Sequence, residues 1–219
     1  MNKGVVSVLV AYLIWGLYPF YFHAMQHVAP TEIVIHRVLW TFALLAVYLF
    51  CSRRWRWIQK AITDRRTVAV FLMSSVLITA NWSTYTYAIV TNQTLEASLG
   101  YFMNPLVSVL LGTVFLKEKL NKAQMLAIVF ACAGVMWVTF KQGEFPALGL
   151  TLALSFGFYG LVRKMAPLGS LEGLTLETAF AFPVALLATF YFAGNGDLTF
   201  VHGTSWDKFW LIMAGPITT

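Results

Sequence analysis

His23 and His27 stand one helical turn apart, a spacing that places two imidazoles on one face and could begin a metal site. Glu32 is the nearest further oxygen ligand, whereas structural zinc normally takes four ligands, so an interfacial histidine pair is the simpler reading. The segment 53–66, RRWRWIQKAITDRR, interleaves arginine with tryptophan and could hold nucleic acid by charge and stacking. The same residues suit a loop whose arginines meet anionic headgroups while Trp55 and Trp57 sit in the membrane interface. That second reading implies membrane lipids as partners and no nucleic acid. No Walker loop, no GxGxxG after a strand and no GxSxG occurs, so neither ATP-driven pumping nor hydrolase chemistry is supported. No metal and no cofactor are expected. Cys51 and Cys132 differ in depth by about 12–15 Å at 1.5 Å per residue, too far apart for a disulfide.

Two charges inside apolar runs carry more weight. Arg37 lies about 9 Å inward from one end of its span, and Glu177 about 6 Å inward from one end of another. Ionisable groups in hydrocarbon are costly and mark function by default. The competing readings are that Arg37 snorkels outward and that Glu177 pairs with Arg163. Burial would raise the proton affinity of a carboxylate such as Glu177 and let it change protonation. Asn81 and Tyr85 share a face one turn apart, beside Trp82 and Tyr87, which suits either a small amphiphilic ligand or an interhelical hydrogen bond. Gly100, Asn104, Ser108 and Gly112 recur every four residues, a stripe that permits close helix approach. Pro19, Pro105, Pro183 and Pro216 each remove a backbone hydrogen bond inside an apolar run, which points to a helix bundle around a cavity, with Pro19, Pro105 and Pro183 as hinges.

The elements that must position these residues follow from composition. The 219 residues are 59% hydrophobic and 11% charged, with a net charge of +6; mean hydropathy is +0.71 and the pI about 9.4. A soluble domain carries about 25% charged residues, so the chain is expected to be an all-α integral membrane protein. Runs long enough to cross a bilayer, about 17–25 residues, fall at 5–24, 31–51, 68–90, 95–116, 124–140, 147–165 and 173–193. An eighth begins near Phe209 and stops at Thr219, covering about half of the hydrocarbon core, so the chain reads as truncated within that span. Alternate connections hold twelve basic residues, among them Lys3, Arg53, Arg65, Lys117 and Arg163, against Lys141 and Lys208 on the other side. This asymmetry places the N-terminus in the cytoplasm.

Trp15-Gly16-Leu17-Tyr18-Pro19 recurs loosely as Phe156-Gly157-Phe158-Tyr159-Gly160, an offset of 141 residues. The first copy runs outward and the second inward, so a five-span unit repeated once would be inverted. Inverted repeats are a mark of secondary transporters, whose substrate site lies near the midplane.

The run Glu96-Ala97-Ser98-Leu99-Gly100-Tyr101-Phe102-Met103-Asn104-Pro105-Leu106, followed by Phe115-Leu116-Lys117-Glu118-Lys119-Leu120, resembles the EamA family of the drug/metabolite transporter superfamily. Gly4, the run from Tyr12 to Pro19, Glu32 with His36-Arg37, and Ala80-Asn81-Trp82 resemble a bacterial subgroup associated with chloramphenicol sensitivity. The resemblance implies ten transmembrane helices in two inverted five-helix repeats, here 1–140 and an incomplete 147–219, about seven and a half of the ten helices. It implies a bacterial inner-membrane permease for small organic metabolites or drugs, not an enzyme. Its fifth and tenth helices would lie at the contacts of a homodimer. The cavity residues it implies are Trp15, Tyr18, Arg37, Asn81, Tyr85, Tyr101, Asn104, Tyr159 and Glu177, and Glu118 would be structural. The rival reading is a non-transporting membrane scaffold that docks through the basic segment 53–66.

Overall fold

A computed structural model describes residues 3–53 and 55–218; Met1, Asn2, Thr219 and Arg54 of the basic segment lie outside the described residues. Helices stand at every expected span: α1 (Lys3–His23), α2 (Pro30–Ser52), α4 (Arg65–Val90), α5 (Thr94–Phe115), α6 (Lys122–Gln142), α7 (Ala147–Lys164), α8 (Ser170–Asn195) and α10 (Ser205–Thr218). Among the described residues no strand occurs. Among the described residues five helices, α2, α4, α5, α6 and α8, are long and apolar enough to cross a membrane. Satisfying every backbone group within the element is what hydrocarbon demands, and helices do so. The helices run on through Pro19, Pro105, Pro183 and Pro216.

Two short helices, α3 (Arg56–Thr63) and α9 (Thr199–His202), were not visible as spans. α3 corrects the reading of the basic segment as a simple loop. Its Ala61 is buried, and half-buried Trp57 packs with it against Phe71 of α4 and Leu176 of α8. Asp64 then caps α4, accepting hydrogen bonds from the backbone N–H groups of Arg66 and Thr67.

Helix boundaries repeat at the offset read from the sequence. Adding 141 to His23, the end of α1, gives Lys164, the end of α7. The same shift carries the start of α2 to within one residue of the start of α8, and the start of α4 to within one residue of that of α10. Even α3 and α9 overlap under it. Packing follows the same exchange, because α2 lies on α8 while α4 meets α8 as α10 meets α2.

The most extensive contact joins α5 to α7. Apolar burial cannot drive two helices together in lipid, so close backbone approach and polar ties must do it. A Cβ at Gly100 would come within 2.9 Å of both the Gly149 carbonyl oxygen and Leu152 Cβ, and one at Gly157 within 2.6 Å of Val107. Glu96 Oε2 accepts the backbone N–H of Leu148 at 3.0 Å at one end of the pair, and Lys164 meets Glu118 at the other. The small-residue stripe on α5 is thus a packing seam, with the Glu118–Lys164 pair at its end. α6 has no buried residue in its spanning stretch, and Phe140 is 81% exposed, as a helix turned to lipid would be.

Gly100→Val should therefore destabilise the bundle by about 1–3 kcal/mol through overpacking, read as a lower unfolding midpoint in mixed micelles. Gly134→Ala on α6, where a Cβ would meet open space, should leave the midpoint unchanged or raised.

Candidate functional site

Positions on α1, α2, α4 and α5 bring Arg37 into an aromatic cluster. The Arg37 side chain is buried, with its guanidinium 4.0 Å from the centre of the Trp82 ring. That distance suits a cation–π contact. The phenols of Tyr18, Tyr101, Tyr21 and Tyr85 lie within electrostatic reach of the guanidinium. Edge-on contacts link the rings: Tyr18 to Phe22 at 6.4 Å, Phe22 to Tyr85 at 5.7 Å and Tyr85 to Tyr101 at 5.8 Å. Trp15, a partner of Tyr18, and Tyr101 are half-exposed, while Tyr85 and Arg37 are buried. Pro105, one turn after Tyr101, supplies no N–H to the Tyr101 carbonyl and so leaves a polar backbone group beside that side chain's helix turn.

Four of the expected residues do not join this cluster. Asn81 donates from Nδ2 to the Leu152 carbonyl and to Ser155 Oγ, each at 3.1 Å, and so ties α4 to α7. Its amide thus takes the interhelical role that had stood beside ligand contact. Asn104 sits in the α5 stripe with a buried Oδ1 that makes no hydrogen bond. Tyr159 and Glu177 belong to a second cluster, at the end of the bundle that carries the basic connections. There Glu177, 1% exposed, accepts from Ser74 Oγ at 2.8 Å and from the Tyr159 hydroxyl at 3.3 Å. Arg163 Nε lies 3.6 Å from Glu177 Oε1, so the Arg163 pairing considered from sequence is present.

Other polar residues gained roles that sequence spacing did not reveal. Glu32, buried on α2, accepts the backbone N–H groups of Thr199 at 3.0 Å and Phe200 at 2.7 Å, anchoring α9. An acid in the first turn of a span favours the helix dipole, but no sequence signal revealed a partner 167 residues away. His36 accepts from Trp40 Nε1 at 3.1 Å and lies 4.6 Å from the Phe200 ring. His27 hydrogen-bonds Asp207 at 2.9 Å, so it serves the junction of the α1–α2 turn with α10 rather than a pair with His23. Among the described residues no group of three His, Cys, Asp or Glu could hold a metal.

The fold and its buried polar clusters define a multi-pass helical membrane protein. The EamA-like transporter family matches residues 2–140, and the chain belongs to that family. An uncharacterized transporter of Pseudomonas aeruginosa is 38% identical over 218 residues, all of this chain and 73% of that protein. The Bacillus subtilis uncharacterized transporter YojE is 42% identical over 188 residues, 84% of this chain and 63% of that protein. Protein RarD of Escherichia coli is 37% identical over all of this chain and 74% of that protein. No solved structure matches the chain. These relationships make the protein a membrane transporter and point away from an enzyme.

Two outcomes follow from this geometry. Asn81→Ala should lower bundle stability by about 1 kcal/mol through its lost interhelical bonds, read as a lower unfolding midpoint, while leaving ligand affinity unchanged. Asp207 precedes the apolar run from Phe209; the Thr204 hydroxyl and amide, then His27, hold its carboxyl below the usual carboxylate range. Its value is lowered on folding, so its stabilisation is complete above the ordinary value of about 4 and disappears only as pH falls through the depressed value. Amide exchange at Thr204, which donates to Asp207 at 2.8 Å, should stay protected from neutral pH to about 4 and lose protection in stronger acid.

Proposed function

We propose that the protein is a secondary carrier of small organic metabolites or drugs in a bacterial inner membrane, with its N-terminus in the cytoplasm. Alternating access between two inverted five-helix repeats, 1–140 and 147 onward, is the mechanism we assign. The boundary repeat at 141 residues and the matched α4–α8 and α2–α10 contacts support that reading. So does the concentration of basic residues on alternate connections. A relative in Pseudomonas aeruginosa carries the name chloramphenicol-sensitive protein RarD, at 28% identity over 97% of this chain and 71% of that protein, which makes chloramphenicol a reasonable member of a test panel.

The observation that carries the proposal is Arg37 over Trp82 amid the four phenols. A cation within an aromatic wall offers a charge-assisted bond to an acidic group and tolerant faces to an apolar body. Trp15, Tyr18, Tyr85 and Tyr101 form those faces in this reading, and Pro19, Pro105 and Pro183 let the helices bend. Tyr159 and Glu177 act from the opposite end.

Uptake of labelled organic acids and antibiotics into vesicles containing the protein tests this. Arg37→Ala should reduce apparent affinity for an anionic substrate by about 10-fold or more, the worth of a hydrogen bond to a charged group. Tyr101→Phe should have a smaller effect. Equal uptake by Arg37→Ala and the parent would remove Arg37 from recognition, and the absence of any ligand-induced thermal stabilisation across the panel would remove the carrier reading.

A further inference from the structure

We propose that Glu177 is a coupling-ion site that takes a proton, and that Arg163 is the internal cation displaced when the proton arrives. The inference rests on the carrier reading and adds to it the identity of the ion and the part that moves. Two hydroxyls and a guanidinium converge at the carboxylate, and a third hydroxyl ties its backbone. Its oxygens accept from Ser74 and Tyr159, and Ser75 Oγ donates to the Glu177 carbonyl at 2.6 Å. Ser74 and Tyr159 present donors to the carboxylate, while Ser75 holds the backbone of α8 beside it. The place of a counter-cation is held by Arg163, leaving a sodium ion to face a like charge.

Arg163 is held loosely enough to leave. Its closest approach to the carboxylate, 3.6 Å, is longer than the 2.7–2.9 Å of a strong charge-assisted bond, and its Nη1 is buried without a hydrogen-bond partner. It also donates to the Gly169 carbonyl at 3.1 Å and lies 5.2 Å from the Phe71 ring. Its guanidinium occupies the space a Cβ on Gly173 would need. Gly173 is therefore a notch in α8 shaped for this side chain. Arg163 stands one residue from the end of α7, beside exposed Lys164, so a short swing reaches the membrane surface.

With Glu177 ionised, the pair is neutral and draws the end of α7 against α8 and α4. One proton on the carboxylate converts the pair to a net charge of +1, and a buried unpaired cation is costly. The new O–H is a donor for a nearby oxygen, and Arg163 moves out to water and headgroups, releasing the end of α7. The other groups facing Glu177 do not substitute for Arg163. α7 adds only the Tyr159 phenol, α4 the hydroxyls of Ser74 and Ser75, and α3 the apolar Ala61 and Trp57 near Leu176. α2 meets α8 farther along, through Phe42 on Phe182 and through Ile35 and Val38 near Ala185.

Spin labels at Ala69 and Met165, in the full chain with Cys51 and Cys132 replaced by serine and held in phosphatidylcholine liposomes, would read the separation of α4 from the end of α7. A second pair at Leu95 and Thr151 would read the far end of the α5–α7 seam. The first distance should shift longer, reversibly, between about pH 8 and pH 5, the window that a functional proton site must cover, while the second stays fixed. Glu177→Gln should give the long distance at both pH values, and so should Gly173→Ala, which fills the notch without removing a charge. Arg163→Lys should keep the response, and exchanging sodium for choline at constant pH should change nothing. A wild-type distance that ignores pH, a pH response that survives in Glu177→Gln, a sodium-dependent shift, or movement of both label pairs together would overturn the proposal. No substrate enters these measurements, so a working latch with a flat uptake screen defeats only the carrier reading. Uptake with a pH-insensitive latch defeats only the proton site.

Discussion

A charged group buried between helices must find its partner on another helix, because lipid offers none. That constraint organises this bundle. Glu177 on α8 is met from α4 and α7, Arg37 on α2 from α4, and Glu32 on α2 by the backbone of α9. Asn81, polar but uncharged, joins α4 to α7 in the same manner. Each contact fixes the rotation of a helix about its axis, which a uniformly apolar surface would leave undetermined. The glycine contacts of α5 with α7 then set distance, since they let backbones approach where a side chain would hold them apart. Rotation is thus fixed by polar pairs and separation by small residues, and the broad exposed apolar surface is free to face lipid.

This division explains what could be read from the sequence. Span positions were legible to within a few residues because twenty apolar residues in succession leave little choice of structure; the expected 31–51 is the observed Pro30–Ser52. The seam on α5 was legible as well, since small residues four apart mark one face of a helix. α3 and α9 were hidden because eight and four residues make no span. α3 is held by its packing against α4 and α8, which no local pattern reveals.

The candidate site was legible in its residues but not in its grouping. One cavity was expected from nine residues; Arg37 with the four neighbouring phenols forms one cluster, and Tyr159 with Glu177 another. Periodicity shows which face a residue occupies without showing which helix that face meets. For that reason Asn81 stood equally between ligand and helix, and its bonds to Leu152 and Ser155 on α7 could not be read from α4 alone. Glu32 looked like a stray metal ligand until α9 supplied two N–H groups to its carboxylate.

The repeat has a consequence for how chemistry is divided between the ends. At an offset of 141, Tyr18 answers to Tyr159, but Phe22 answers to Arg163, His36 to Glu177, and Glu32 to Gly173. Where one copy holds a guanidinium in a glycine notch, the other packs the fully buried Phe22 among Tyr18, Tyr21 and Tyr85. The backbone frame is shared, and the side chains at matched positions have diverged from an apolar ring to an ion pair. Two halves that are alike in frame exchange easily between equivalent packings, since neither conformation requires a new fold. Two halves unlike in charge would respond differently to a proton, which in the proposal acts at the Glu177 end and leaves the Phe22 end unchanged. In the proposed alternating-access cycle, symmetry of the backbone would bring the two arrangements close in energy, and asymmetry of the side chains would give an ion the means to choose between them.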